Sequence, residues 1–220
     1  MDGTPGEGRI RFASQVVSSP GPVVSRWKAV SGWKAAWCPP HFPVPEILHS
    51  VELLPVLAGP GEDPSLIHFP YDAWIVDPAT RDVDGPRDPA RRTFLFPGTL
   101  PPNAECALDL IEELAEWGET ITGRRCTEGA LEKSLRAYCE RDAWLSALAA
   151  RITAEPGFLA PAAVGNILRS GNFLPVDSHA CLLKWILGEN APASGSMEPF
   201  GDPFLFLSRR IHWSSPHGNP

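Results

Sequence analysis

The chain has 220 residues, 43% of them hydrophobic, which supplies a sizeable core for one or two small domains and excludes a disordered polymer. Its formal net charge is −7 with no cluster of lysine or arginine, which excludes the concentrated basic face that nucleic-acid phosphates require. Neither an apolar run of the ~18 residues needed for a membrane span nor the basic and apolar regions of a signal peptide occurs, so the expectation is a cytoplasmic protein. Five cysteines, at positions 38, 106, 126, 139 and 181, form no CxxC pair and suggest no secreted disulfide framework, which fits a reducing compartment.

In chain order, residues 1–22 are rich in Gly, Ser and Pro and read as a disordered leader. Residues 23–100 read as a truncated α/β domain. In it, Glu46 to Leu54 forms a short helix entered after Pro45, and Pro55 to Gly59 a buried strand ending in a turn. Ala73-Trp74-Ile75-Val76 and Thr93-Phe94-Leu95-Phe96 are two more strands, separated by a proline-punctuated segment, so three short strands make a small parallel sheet. Residues 101–190 read as a helical domain. Asn103 caps a helix whose apolar positions Ala107, Leu108, Ile111, Leu114, Ala115 and Trp117 recur every three or four residues as far as Gly118. A second helix starts near Thr127, carries Leu131, Leu135, Tyr138, Leu145, Leu148 and Ile152 on one face, and stops before Pro156. These two helices are expected to pack as an antiparallel pair, with shorter helices near 161–170 and 177–187. The fold class is therefore α/β: a small parallel sheet unit, incomplete and Rossmann-like, followed by a helical region.

Glu46 and His49 are three residues apart, which puts both on one face of a helical turn, where a carboxylate can orient or charge an imidazole. The same glutamate is also what the dipole favours at a helix start. Cys38 reads as a small hydrophobe, with a ligand or a reactive thiol as the alternatives. Cys126, Cys139 and Cys181 lack the spacing of common zinc sites, and His41, His68 and His179 lack HExxH spacing. Trp27, Trp33, Trp37 and Trp74 are core aromatics or the lining of an aromatic pocket. There is no GxSxG elbow and no GxxxxGK[ST] loop, which leaves hydrolase and P-loop readings without support.

Gly32-Trp33 followed by Pro43-Val44-Pro45-Glu46-Ile47-Leu48-His49 resembles the subunits of 2-hydroxyacyl-CoA dehydratases and benzoyl-CoA reductases, and looks most like the B-type subunit of ATP-dependent benzoyl-CoA reductase. The resemblance continues through Glu113-Leu114-Ala115, Thr122-Gly123-Arg124, Ala137-Tyr138-Cys139-Glu140-Arg141 and Arg169-Ser170-Gly171-Asn172-Phe173-Leu174-Pro175, spanning residues 30–188 in order. It implies one-electron chemistry on acyl-CoA thioesters within a complex of several subunits, with Glu46 and His49 as catalytic residues and Trp33 and Trp37 binding the acyl group. It also implies a [4Fe–4S] cluster. Here Ile75-Val76-Asp77-Pro78-Ala79-Thr80-Arg81 carries Val76 where the family has a cluster cysteine, so the expectation is that this chain alone does not ligate the cluster. Family subunits are about twice as long, and residues 191–220, with Arg209-Arg210-Ile211-His212-Trp213, resemble the start of a missing second α/β domain. Arg124-Arg125 and Arg209-Arg210 are either CoA-phosphate contacts or solvated surface. The alternative is a non-catalytic interaction protein derived from the same family.

Overall fold

The computed structural model describes residues 5–57, 71–78 and 92–188. Ala58, Gly59, His68, the Ala79-Thr80-Arg81 segment and the 191–220 tail lie outside the described residues. Two helices open the chain, α1 (Pro5–Ser18) and α2 (Pro20–Ser31). Strand β1 (Lys34–Cys38), helix α3 (Pro45–Ser50), strand β2 (Leu53–Leu57), strand β3 (Ala73–Val76) and strand β4 (Thr93–Leu95) follow. Four helices follow among the described residues: α4 (Ala104–Thr122), α5 (Glu128–Ala154), α6 (Pro161–Ser170) and α7 (Val176–Leu187). No helix among the described residues is long and apolar enough to cross a membrane.

The sheet is entirely parallel with strand order β2-β1-β3-β4, which bears out the α/β expectation. Its central strand β1 is the element that pattern reading missed. Ala35, Ala36 and Cys38 are fully buried because helices cover both sheet faces, so the strand shows no alternation, and alanine is a weak strand former. Among the described residues strand β2 lies at the edge of the sheet, which is where Pro55 fits, since a proline there withholds no ladder hydrogen bond from a second neighbour. Helix α3 is shorter than expected. It ends at Ser50, and Glu52, at φ 60°, turns the chain into a strand that already starts at Leu53. Side chains from β1, β2 and β3 alternate between two cores. Ala36, Cys38, Leu53, Ala73 and Ile75 face α3, α4 and the start of α5 through Ile47, Leu48, Ile111, Leu114 and Leu131. Ala35, Leu54 and Val56 face Ala13, Val16, Val24, Leu148, Ile167 and Leu183 from α1, α2, α5, α6 and α7.

Three expectations are corrected. Residues 5–18 are helical, not a disordered leader, and Ala13 and Val16 are completely buried; the glycines and prolines lower helix propensity, but packing against α6 and α7 overrides it. The apolar faces of α4 and α5 pack directly onto the sheet. Helices α4 and α5 do not form an antiparallel pair along their lengths. Helix α5 packs along α7 and across α3, and α4 lies against α3. Gly118 does not end α4, which runs on to Thr122 and is capped by Gly123 at φ 73°. It is instead a close approach of α4 to the residue that follows α3: a Cβ there would stand 2.8 Å from Val51 Cγ2. The expected caps are in place, with Asn103 Oδ1 accepting from Glu105 N at 2.8 Å and Thr127 Oγ1 from Ala130 N at 3.2 Å.

Candidate functional site

Helix α3 is a single short crossover between β1 and β2, with Pro45 in its first turn. Ile47, Leu48 and Val51 bury their side chains in the core under the sheet, which leaves Glu46 and His49 to meet α5. Helix α5 answers with Ser134 and Tyr138, one turn apart and so on one face. Ser134 Oγ lies 2.7 Å from the Glu46 carbonyl oxygen, to which it donates, and 3.0 Å from His49 Nδ1. The His49 ring is flanked edge-on by Trp33, with centroids 5.0 Å apart, and by Tyr138 at 5.8 Å; Trp27 packs behind Trp33 at 5.1 Å. His49 is only 6% exposed, and its Nε2 is buried with no hydrogen-bond partner among the described residues.

Burial dominates the electrostatics. It holds the Glu46 carboxyl above its ordinary range against the opposing pull of its own backbone and of Arg141, with Asp142 reinforcing the rise. Burial holds His49 below the ordinary imidazole value; Asp177 on α7 opposes the shift and Lys133 adds to it. It also pushes the Tyr138 phenol up, partly offset by Arg141, whose guanidinium sits 4.7 Å from the Tyr138 ring centroid and pairs with Asp142 at 2.6 Å. The outcome is a carboxyl biased towards its neutral acid and an imidazole biased towards its neutral base, the divergence that equips a site to give and take protons.

The structure brings Glu46, His49 and Trp33 together but changes how the first two are linked. His49 bonds to Ser134, not to the Glu46 carboxylate, and Asp177 is the carboxylate that acts on the imidazole. Trp37 is not part of this assembly. It packs in the other core and has Trp74 as its register partner on β3. Arg124 pairs with Glu52 at 2.9 Å, which agrees with a surface reading for that half of its doublet. Two surface hollows lie away from Glu46 and His49: one of about 420 Å³ lined by Lys34, Asp72, Arg92 and Thr120, and one of about 730 Å³ between α1 and α6.

The thiols do not fit a [4Fe–4S] cluster, which needs several thiolates converging at fixed geometry. Cys38, at the end of β1, is fully buried with its thiol pushed far up by desolvation, and Cys126 packs 3.1 Å from Ser50 Oγ. Cys106, Cys139 and Cys181 are exposed on three different helices, and Val76 ends β3. Among the described residues no three His, Cys, Asp or Glu side chains form a group that could hold a metal ion.

Sequence reading missed Ser134 as a site residue. Its signal was a polar residue on the stripe of Leu131, Leu135 and Tyr138, where a hydroxyl is costly unless it is bonded. His179 was given no role by the sequence. It is 2% exposed, bonds the Ile167 carbonyl at 3.0 Å through Nε2, and presses on Gly171, where a Cβ would stand 2.5 Å from both His179 Cε1 and Nδ1. No family model matches the chain, and no curated protein matches its sequence.

Proposed function

We propose that the chain is a subunit of an acyl-CoA reductase or dehydratase-like complex, in which it handles protons while another subunit holds the [4Fe–4S] cluster and supplies single electrons. The observation that carries this reading is the opposed environment of Glu46 and His49: a half-buried carboxyl held above its ordinary range, one helical turn from a buried imidazole held below its ordinary value, whose Nε2 has no partner among the described residues. One-electron reduction of a thioester-conjugated acyl group raises its basicity, so a proton donor must stand close by. Glu46 fits the donor role and His49 the acceptor role, with Trp33 as the aromatic wall against a planar acyl group. The resemblance of residues 30–188 to acyl-CoA reductase and dehydratase subunits supplies the substrate class, the partner subunits and a cytoplasmic location. The test is turnover of benzoyl-CoA by the complex purified anaerobically. Glu46→Gln and His49→Gln should each lower turnover while the complex still assembles; unchanged turnover removes both residues from the mechanism.

The scattered thiols and Val76 favour a second reading, a non-catalytic interaction protein that keeps the pairing surface of such a subunit. It predicts association with a cluster-bearing subunit that does not depend on iron. Association lost on removal of iron argues against it.

A further inference from the structure

We propose that Ser134 is a positioning residue that sets the tautomer of His49, holding its proton on Nδ1 and so making Nε2 the proton acceptor of the site. The inference deepens the proposed function and rests on it for the use made of Nε2, although the tautomer itself can be read without turnover.

The argument is a count of protons. Ser134 Oγ is 2.7 Å from the Glu46 carbonyl oxygen and 3.0 Å from His49 Nδ1. A backbone carbonyl can only accept, so the single hydroxyl proton goes to Glu46, and the oxygen then has lone pairs to offer an Nδ1–H. The opposite arrangement turns the hydroxyl onto a bare Nδ1 and moves the imidazole proton to Nε2. It makes one hydrogen bond in place of two and buries an N–H that has no acceptor. A lost hydrogen bond together with a stranded buried donor disfavours that state by about tenfold or more. Water cannot rescue it at the serine, since Ser134 is 1% exposed and His49 is 6% exposed. The two bonds also cross from α5 to α3, so the tautomer is fixed by tertiary packing and not by either helix alone.

His179 provides an internal contrast. Its Nε2 lies 3.0 Å from the Ile167 carbonyl, an acceptor only, so there the proton belongs on Nε2 and Nδ1 is bare. One protein thus holds two buried neutral histidines in opposite tautomers, each chosen by its acceptor.

The experiment is long-range proton–nitrogen correlation NMR on the full chain with labelled histidine at neutral pH, the two rings being assigned by the signals lost in His49→Gln and His179→Gln. The expected spectrum shows His49 with a protonated Nδ1 and a bare Nε2, and His179 the reverse. In Ser134→Ala the His49 nitrogens should move towards an averaged or Nε2-protonated pattern, whereas Ser134→Thr, which keeps the hydroxyl, should retain the wild-type pattern. A wild-type spectrum with the proton on His49 Nε2 overturns the proposal whether or not the alanine variant folds, and so does an unchanged tautomer in a folded Ser134→Ala. Unchanged turnover of the His49→Gln complex, with the Nδ1–H tautomer intact in the wild type, would overturn the proton-handling function and leave the tautomer assignment standing.

Discussion

Replacing Gly171 with alanine should destabilise the protein, although backbone preference alone predicts the reverse. Gly171 has φ −66° and ψ −16°, a conformation any residue adopts, so the swap should gain about 0.4–1 kcal/mol by restricting the unfolded chain. Against that, the new methyl carbon would stand 2.5 Å from two atoms of the His179 ring, well inside contact distance. The ring is buried and tethered to the Ile167 carbonyl, so it cannot swing away without losing that bond. Overpacking costs about 1–3 kcal/mol and the strained or lost hydrogen bond about 0.5–1.5 kcal/mol. The net destabilisation is about 0.5–4 kcal/mol, which at a urea slope of ~3 kcal/mol/M lowers the unfolding midpoint by roughly 0.2–1.3 M. Urea denaturation followed by tryptophan fluorescence reads this directly. The same substitution in a His179→Ala background should be neutral or stabilising, since the obstacle is gone. A Gly171→Ala protein as stable as wild type, or a penalty undiminished without His179, would refute the reasoning.

Acid should weaken the fold through its buried histidines. Burial depresses His179 from 6.5 to about 4 and lowers His49 as well, so below 6.5 the unfolded chain takes up protons that the folded one refuses, and stability falls as pH drops from about 6.5 towards 4. Glu46 works in the opposite sense, because its raised folded value favours the native state at lower pH. Urea midpoints across that range should therefore decline less steeply in His179→Gln than in wild type; equal slopes would sink the assignment. Asn103→Ala and Thr127→Ala each remove a side-chain cap and should cost about 1 kcal/mol in the same assay; no change in either would show that the cap contributes nothing. A thiol reagent should label Cys106, Cys139 and Cys181 in the folded protein and reach Cys38 and Cys126 only on unfolding, and rapid labelling of all five would contradict the burial of those two.

Periodicity and caps made much of the fold legible in the sequence. Asn103, Thr127 and the three- and four-residue spacing of Ile111, Leu114, Leu131 and Leu135 are local signals, because a helix satisfies its own backbone and shows its buried face as a stripe. Strands β3 and β4 were legible for a similar reason, as short β-branched and aromatic runs between breakers. What local signals could not supply depended on partners distant in the chain. Strand β1 is alanine-rich and covered on both faces, so it became a strand only between β2 and β3. Helices α1 and α2 carry glycines and prolines that argue against helix, and they hold because α6, α7 and the sheet bury Ala13, Val16 and Val24. The site divides in the same way. The spacing of Glu46 and His49 fixed a shared face, whereas the part played by Ser134 was decided when α5 crossed α3, since a hydrogen bond between residues 85 positions apart leaves no local trace.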